Sequence, residues 1–245
     1  EPTLHPDLPL AVRCARRLGF ASVTIDTNGY LFNDILDQVA PEDVDAFSFS
    51  LDGATAATND RIRGRGSYEV CLNGIRRART RGFRTSLIYT VSRANLGELP
   101  AMGTLLAELG VERFFIQVLG LRGKAGRSGE DSDPRVSSTE WLEQVPAAAE
   151  AIARRGVRVI YPKVFLASDE KFECAGLVAD NYFVFPNGRV YRCPLCEDYP
   201  VHGLEFKDDR LVETPRLNEE DFFRLHLVEG CVMNALIQPV DPTPD

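Results

Sequence analysis

Ala46-Phe47-Ser48-Phe49-Ser50-Leu51-Asp52-Gly53 alternates apolar and small polar residues, then breaks at Asp-Gly. Phe47, Phe49 and Leu51 fall on one side of an extended chain, and Ser48 and Ser50 on the other. That is the period-two signature of a strand, and Asp52-Gly53 supplies the turn chemistry that ends it. The same pattern extends in both directions. Upstream, Leu8 to Leu18 has helical periodicity and stops at Gly19. Ala21 to Ile25 reads as a buried strand running into Asp26-Thr27-Asn28-Gly29, and Tyr30 to Val39 as a helix halted before Pro41. Downstream, Ser67 to Arg81 reads as a helix capped by Ser67 and stopped by Gly82. Thr85 to Val91 is the next strand, Asn95 to Leu109 a helix closed by Gly110, and Arg113 to Leu119 a strand ending at Gly120. Ser138 to Arg155 is a helix with Ser138 or Thr139 as its cap, and Val157 to Tyr161 is a last strand stopped by Pro162.

Strand–helix alternation with polar, Gly-containing strand ends predicts parallel βαβ units, hence an α/β fold built on a partial parallel (β/α) barrel. Ligands of such folds bind at the C-terminal ends of the strands. The polar strand ends Thr27-Asn28-Gly29, Ser50-Leu51-Asp52-Gly53, Thr90-Val91-Ser92 and Gln117-Val118-Leu119-Gly120 are therefore the first candidates for a site. Arg122 to Pro134, rich in Gly, Ser and charge, reads as a loop or lid. Beyond Pro162 the pattern changes to short strands, turns and cysteines, so domains are expected at 1–162 and 163–245, the second a small cysteine-rich α+β domain.

Composition narrows the function. The 245 residues carry 28 basic and 36 acidic side chains, a formal charge of −8. No basic block stands out, so nucleic acid is not an expected partner. No apolar run approaches the ~18 residues that span a bilayer, so no membrane partner is expected either. The sequence opens on Glu1-Pro2-Thr3 without an initiator methionine, which reads as a piece of a longer protein.

Of six cysteines, Cys14 and Cys71 sit alone in apolar-periodic segments and read as small buried hydrophobes. Cys174, Cys193, Cys196 and Cys231 gather in the last third. No secretion signal is visible, so they read as metal ligands in a reducing, cytoplasmic compartment in preference to disulfides. Tyr182 to Tyr191 reads as a β-hairpin turning at Pro186-Asn187-Gly188. Such a hairpin suits Cys174 and Cys193 as two thiolates on one centre. Spacing alone leaves structural zinc and an iron–sulfur cluster as near-equal choices. His202 and His226 read as surface or core residues, and Tyr89 and Tyr161 as aromatic core.

Taken together, these motifs resemble the radical S-adenosylmethionine (SAM) superfamily. Glu1-Pro2-Thr3-Leu4-His5-Pro6-Asp7-Leu8 resembles the stretch that begins with the Glu-Pro of that family's Gly-Gly-Glu-Pro motif. Thr27-Asn28-Gly29, Ser50-Leu51-Asp52-Gly53 and then Arg61, Arg63-Gly64-Arg65-Gly66-Ser67-Tyr68 come in the family's order. Cys174, thirteen residues, Gly188, four residues and Cys193 are similar to the opening of SPASM and twitch domains.

The resemblance implies a radical SAM-type barrel followed by an auxiliary-cluster domain. It places Glu1 and Pro2 at the methionine end of SAM, and has Ser50 hydrogen-bonding the SAM carboxylate or ribose. Thr27 and Asn28 would line the floor, Asp52 would belong to the same strand-end set, and Gln117 and Leu119 would lie by the adenine. It further implies a catalytic [4Fe–4S] cluster held by a Cys-x-x-x-Cys-x-x-Cys loop that this sequence lacks. That loop, the first strand and the two motif glycines would lie before Glu1, and the polypeptide alone is then expected to be inert.

The expected activity is generation of a 5′-deoxyadenosyl radical that abstracts hydrogen from a peptide, protein or small molecule. Flavodoxin or ferredoxin is the expected reductant. One auxiliary [4Fe–4S] cluster is expected on Cys174, Cys193, Cys196 and Cys231, because Asn234 stands where the twitch pattern places a further cysteine after Cys231. The alternative from another class is a non-catalytic binding or scaffold protein with a zinc-braced tail.

Overall fold

The computed structural model describes residues 1–120, 134–165, 181–192, 202–214 and 234–238. The chain forms two compact units. Glu1–Tyr161 with the strand residues from Ala235 makes the first, and Pro162–Asn234 the second.

The first unit is an α/β sheet with its crossover helices. Strands β1 (Thr24–Thr27), β2 (Ala46–Ser50), β3 (Arg84–Val91), β4 (Arg113–Val118) and β5 (Arg158–Pro162) lie side by side in chain order, and β10 (Asn234–Ile237) is the neighbour of β5. Each neighbouring pair from β1 to β5 is parallel. Helix α1 (Leu8–Arg17) precedes β1, and the helices between the strands are α2 (Ile35–Gln38), α3 (Ala56–Arg63), α4 (Ser67–Thr80), α5 (Met102–Leu109) and α6 (Ser138–Ala153). Alternation along the strands sorts their side chains. Ile25, Phe47, Phe49, Leu51, Leu87, Tyr89, Phe114, Ile116 and Val159 are buried. Phe47 meets Phe83 edge-on at 5.1 Å and Tyr89 meets Phe114 at 5.9 Å. Each such side chain contributes on the order of 1.5–3 kcal/mol by leaving water, which makes this face the core.

The opposite face is unlike it. Asp26, Ser48, Ser86, Arg113 and Arg158 are register partners across five strands. The next row toward the strand ends is Ser50, Ile88, Phe115 and Ile160, all half-buried.

Several local expectations change. Tyr30–Val39 is not one helix: a 3-10 turn at Phe32–Asp34 precedes α2, and Leu31, Asn33 and Asp34 have φ of 52°, 56° and 46°. The cause is tertiary. Asn33 Nδ2 donates to the carbonyls of Thr3 and Leu4 at 2.9 and 3.2 Å, and Phe32 N donates to Thr3 Oγ1 at 3.2 Å. Asn95–Leu109 divides into a 3-10 segment, Leu96–Ala101, containing Pro100, and then α5.

Helix α3 has no counterpart in the sequence pattern, because its inward residues are Thr58 and Asn59 and not an apolar stripe. Ser67 begins α4 without capping it; Asp60 fills that role, accepting from the backbone N–H of Gly66 and Tyr68 at 2.6 and 2.9 Å. The cap of α6 is Ser137, in a capping box with Glu140.

In the second unit, β6 (Phe183–Val184), β7 (Arg189–Tyr191), β8 (Leu204–Lys207) and β9 (Arg210–Glu213) form an antiparallel sheet. The expected hairpin is β6–β7; Asn187 Oδ1 accepts from Arg189 N at 2.9 Å in its turn. The β8–β9 hairpin turns through Asp208-Asp209, both at positive φ, the geometry of a two-residue turn matched to strand twist. Cys174, Cys193, Cys196, Cys231, His226 and the loop 122–133 lie outside the described residues. No described helix is long and apolar enough to cross a membrane.

Candidate active site at the strand ends

The C-terminal ends of β1 and β2 and the segment joining α3 to α4 enclose a cleft of about 330 Å³, lined by Asn28, Tyr30, Ser50, Arg63, Gly64, Arg65 and Ser67. Three polar networks hold its walls.

The first is centred on Glu1. Its carboxylate accepts from Asn28 N at 2.7 Å, Thr3 N at 3.2 Å, Thr3 Oγ1 at 2.6 Å and Thr27 Oγ1 at 3.1 Å. Burial alone would raise the Glu1 pKa, but the hydrogen bonds from Asn28, Thr3 and Thr27 outweigh it and hold the carboxyl below its ordinary value. Glu1 thus ties the end of β1 to the first turn of the chain. Pro2 begins that turn, exposed, with its carbonyl accepting from His5 N at 2.9 Å.

The second is centred on Asp52, 4% exposed. Oδ2 meets Arg63 Nε at 2.7 Å and Oδ1 accepts from Thr90 N at 2.7 Å. Its own N–H donates to Asn59 Oδ1 at 2.8 Å. Asn59 Nδ2 then donates to Ser67 Oγ at 2.9 Å, carrying the network into α4. Asn95, fully enclosed, donates through Nδ2 to the carbonyls of Asp52 and Thr90 at 3.0 and 2.9 Å, and Tyr89 Oη donates to the Asn95 carbonyl at 2.7 Å. Tyr89 is core, as its place in the sequence implies.

The third is Glu98, whose carboxylate accepts from Ala54 N at 2.8 Å, Thr55 N at 3.2 Å, Thr55 Oγ1 at 3.0 Å and Thr58 Oγ1 at 2.6 Å. An anion on the first turn of α3 is favourable. Burial would raise the Glu98 pKa; the bonds from Thr58, Thr55 and Ala54 overcome it and keep the carboxyl below its ordinary value.

The strand-end glycines have a cause that turn chemistry alone does not assign. A Cβ on Gly29, whose φ is +97°, would stand 2.6 Å from Cys71 Cα. A Cβ on Gly53 would stand 2.5 Å from Asn59 N. Both glycines admit the backbone of the protein's own helices, α4 and α3, and not a ligand.

The cleft brings together Asn28 and Ser50 among the residues singled out from the sequence, with Glu1 and Thr27 bonded behind Asn28. Asp52 is committed to Arg63 and Thr90 and acts as a brace. Gln117 is exposed on β4 beside Thr90, and Leu119 is half-buried just past the strand; neither lines the cleft. Sequence reasoning missed Tyr30, Arg63, Arg65 and Ser67 as lining residues. The Arg63-Gly64-Arg65-Gly66-Ser67 run is the signal for the last three. Arg65 is exposed and makes no hydrogen bond or ion pair among the described residues, so the cleft carries one uncommitted cation beside two small polar groups. That combination accepts a small ligand bearing a carboxylate and hydroxyls.

Comparison with known proteins bears on this geometry. The sequence model of the Radical SAM superfamily matches residues 1–123. Pre-heme d1 synthase of Dinoroseobacter shibae is 35% identical over 136 residues, covering 54% of this chain and 33% of the relative. PqqA peptide cyclase of Gluconobacter oxydans is 30% identical over 203 residues, covering 82% of this chain and 56% of the relative. The crystal structure of Streptococcus suis SuiB bound to precursor peptide SuiA superposes with a TM-score of 0.62 at 12% identity over 92% of this chain and 52% of that one, which bears on the fold alone. The chain spans about a third to a little over half of the length of these curated relatives.

Proposed function

The chain belongs to the radical SAM superfamily, and from that premise we propose that the strand-end cleft binds SAM and that the whole protein is a radical SAM enzyme. The observation that carries this reading is the convergence of Asn28, Ser50 and the uncommitted Arg65 on one cleft at the C-terminal ends of parallel strands. SAM carries a carboxylate, an ammonium and ribose hydroxyls. Arg65 suits the carboxylate, and Ser50 and Asn28 suit the hydroxyls or the carboxylate. Glu1 would act from behind the cleft, its carboxylate holding Asn28 N and Thr27 in place at the end of β1. Gln117 and Leu119 belong to the wall of the open face, where an adenine would pack.

A [4Fe–4S] cluster would supply the single electron that cleaves SAM to a 5′-deoxyadenosyl radical. This chain's residues would orient SAM and exclude water. The half-buried row of Ile88, Phe115 and Ile160 lines the open face of the sheet, and an apolar wall there would shield a carbon radical from polar side reactions. Hydrogen abstraction from a peptide or protein is the favoured reaction. The match to PqqA peptide cyclase covers 82% of this chain, and that to pre-heme d1 synthase 54%. Flavodoxin or ferredoxin would be the reductant, in the cytoplasm.

Cys174, Cys193, Cys196 and Cys231 are proposed to hold one auxiliary metal centre, an iron–sulfur cluster in preference to zinc. The test is anaerobic reconstitution of the full-length protein, metal and sulfide counting, and assay of 5′-deoxyadenosine after reduction. Cleavage of SAM with sulfide in excess of one cluster is the expected result. Absence of cleavage with a fully loaded, reduced protein would sink the enzyme reading, and stoichiometric zinc without extra sulfide would sink the auxiliary cluster.

A further inference from the structure

On the face of the sheet opposite the core, one cation is enclosed without a counter-charge. Arg113 opens β4 on that face and is half-buried, yet it makes no hydrogen bond or ion pair among the described residues. The arginines that open the two neighbouring strands are committed. Arg84 Nε donates to the Asp45 carbonyl at 3.2 Å, and Arg158 Nε donates to Gln238 Oε1 at 3.0 Å. A guanidinium carries five N–H donors in a fixed fork. Enclosing one with no acceptor is unfavourable, and a bound anion relieves it.

The row that contains Arg113 does not supply that anion. Its register partners are Ser86 and Arg158, and Ser48 and Asp26 continue the row. Ser48 and Ser86 are buried and neutral. Asp26 lies three strands away, about 14 Å at the spacing of a sheet. Burial raises the Asp26 pKa, and the contact that lowers it is the Ser48 hydroxyl and not a guanidinium.

Position indicates what would bring the anion. Two residues along β4 from Arg113 stands Phe115, half-buried, with Ile88 and Ile160 as its register partners. Ile88 is also the register partner of Ser50, which lines the cleft. An apolar strip thus starts one strand spacing from the cleft, about 4.8 Å, and Arg113 sits about 6.6 Å from that strip toward the strand starts. A radical formed in the cleft meets this strip first. A substrate made of hydroxyls would find no polar partner on Ile88, Phe115 or Ile160. An extended peptide advances about 3.3–3.6 Å per residue, so a carboxylate one or two residues from an apolar side chain on the strip reaches Arg113.

We propose that Arg113 anchors a carboxylate of a peptide substrate, one or two residues from an apolar side chain that lies on Ile88 and Phe115 and presents its C–H to the cleft. This rests on the reading that the cleft binds SAM, and it names the substrate class that reading leaves open. The carboxylate is an acidic side chain or the peptide's own C-terminus; both suit a planar guanidinium fork.

The test uses the full-length, cluster-loaded, SAM-bound protein without reductant, and three probes. Acetyl-Leu-Gly has a free C-terminal carboxylate, acetyl-Leu-Glu-amide a side-chain carboxylate, and acetyl-Leu-Gln-amide neither. NMR titration of the leucine methyl groups gives each affinity in wild type, Arg113→Gln and Arg113→Lys. At least one carboxylate probe should bind wild type about tenfold more tightly than the neutral probe, on the scale of a charge-assisted bond. Arg113→Gln should abolish that preference, and Arg113→Lys, which keeps the charge, should retain most of it. The probe that carries the preference identifies the source of the carboxylate. No carboxylate preference in wild type, whether the probes bind alike or not at all, overturns the inference, as does a preference that survives Arg113→Gln. Equilibrium dialysis of wild type with labelled SAM is read separately: failure to bind SAM overturns the SAM reading, and a missing carboxylate preference with SAM bound overturns the inference alone.

Discussion

Asp52 Oδ2 and Arg63 Nε meet at 2.7 Å, joining the end of β2 to the last turn of α3. The pair is lopsided: the Asp52 side chain is 6% exposed and that of Arg63 28%. The carboxylate is the enclosed partner, and it also takes the Thr90 backbone N–H. Asp52→Ala should therefore leave an orphaned amide as well as an unpaired guanidinium. A loss of about 2–3 kcal/mol is expected, less than for a fully buried pair because Arg63 reaches solvent. Urea unfolding measures it. Arg63→Ala should cost less than Asp52→Ala, and equal losses would show that the Thr90 bond contributes nothing.

Arg65→Met should weaken SAM binding more than Ser50→Ala does. A charge-assisted bond to a carboxylate is worth about 1.5–3 kcal/mol and a neutral hydroxyl bond about 0.5–1.5 kcal/mol. The expected losses in affinity are roughly ten- to a hundredfold for Arg65→Met and about tenfold or less for Ser50→Ala. Equilibrium dialysis of the loaded full-length protein with labelled SAM provides the measurement. Gln117→Ala, outside the cleft at the proposed adenine wall, should change affinity least because it removes a neutral contact; a loss larger than that of Arg65→Met would overturn this ranking.

Glu98 predicts a pH dependence with a definite sign. Its folded pKa lies below its ordinary value of 4.5, so its stabilising contribution is fully present above that value. It is lost as the pH falls from the ordinary value through the lowered, folded one. Glu98→Gln removes the charge at every pH. The stability difference between wild type and Glu98→Gln, about 1 kcal/mol on the scale of a helix cap, should be constant from pH 7 to about 5 and shrink below pH 4.5. Thermal unfolding across that range tests it, and a difference that grows on acidification would refute it.

Gly29→Ala and Gly53→Ala should both damage the fold, because the added methyl meets backbone and not a movable side-chain tip. Overpacking of this kind costs about 1–3 kcal/mol, with left-handed strain adding to it at Gly29. Gly97, which has open space around it, is the control. Denaturant midpoints should fall at the first two positions and stay near wild type at Gly97→Ala.

Cys71 should resist alkylation while the protein is folded. It is 1% exposed, and burial pushes its thiol up to about 12. At pH 8 about one molecule in ten thousand would carry the thiolate. Half-exposed Cys14 should react first with iodoacetamide, as read by peptide mass mapping. Modification of Cys71 at the rate of Cys14 would mean that α4 opens in the native state.

The α/β alternation was legible because period-two and period-3.6 patterns report which side of each element is buried, and Phe47, Phe49 and Leu51 are indeed buried together. Asn28 and Ser50 were legible as strand-end residues because Asn-Gly and Asp-Gly breaks mark where the strands stop, and both line the cleft. Helix α3 was hidden because its buried residues, Thr58 and Asn59, are polar, and hydrophobic periodicity does not register a helix held by hydrogen bonds.

Sequence by itself determined the strand–helix alternation, the family and the cysteine spacing, since each is written in local pattern or in linear distance. Tertiary structure alone decided how the polar residues divide between bracing and binding. Asp52 has the sequence position of a ligand contact and is spent on Arg63 and Thr90; Arg65 has that of a loop residue and is the uncommitted cation of the cleft. His202 reads in the sequence as a surface or core residue, and neither of its ring nitrogens has a hydrogen-bond partner among the described residues. The reason is physical: whether a polar group is free to act depends on what already satisfies its hydrogen bonds, and those partners lie far away in sequence, between 11 and 38 residues for Asp52.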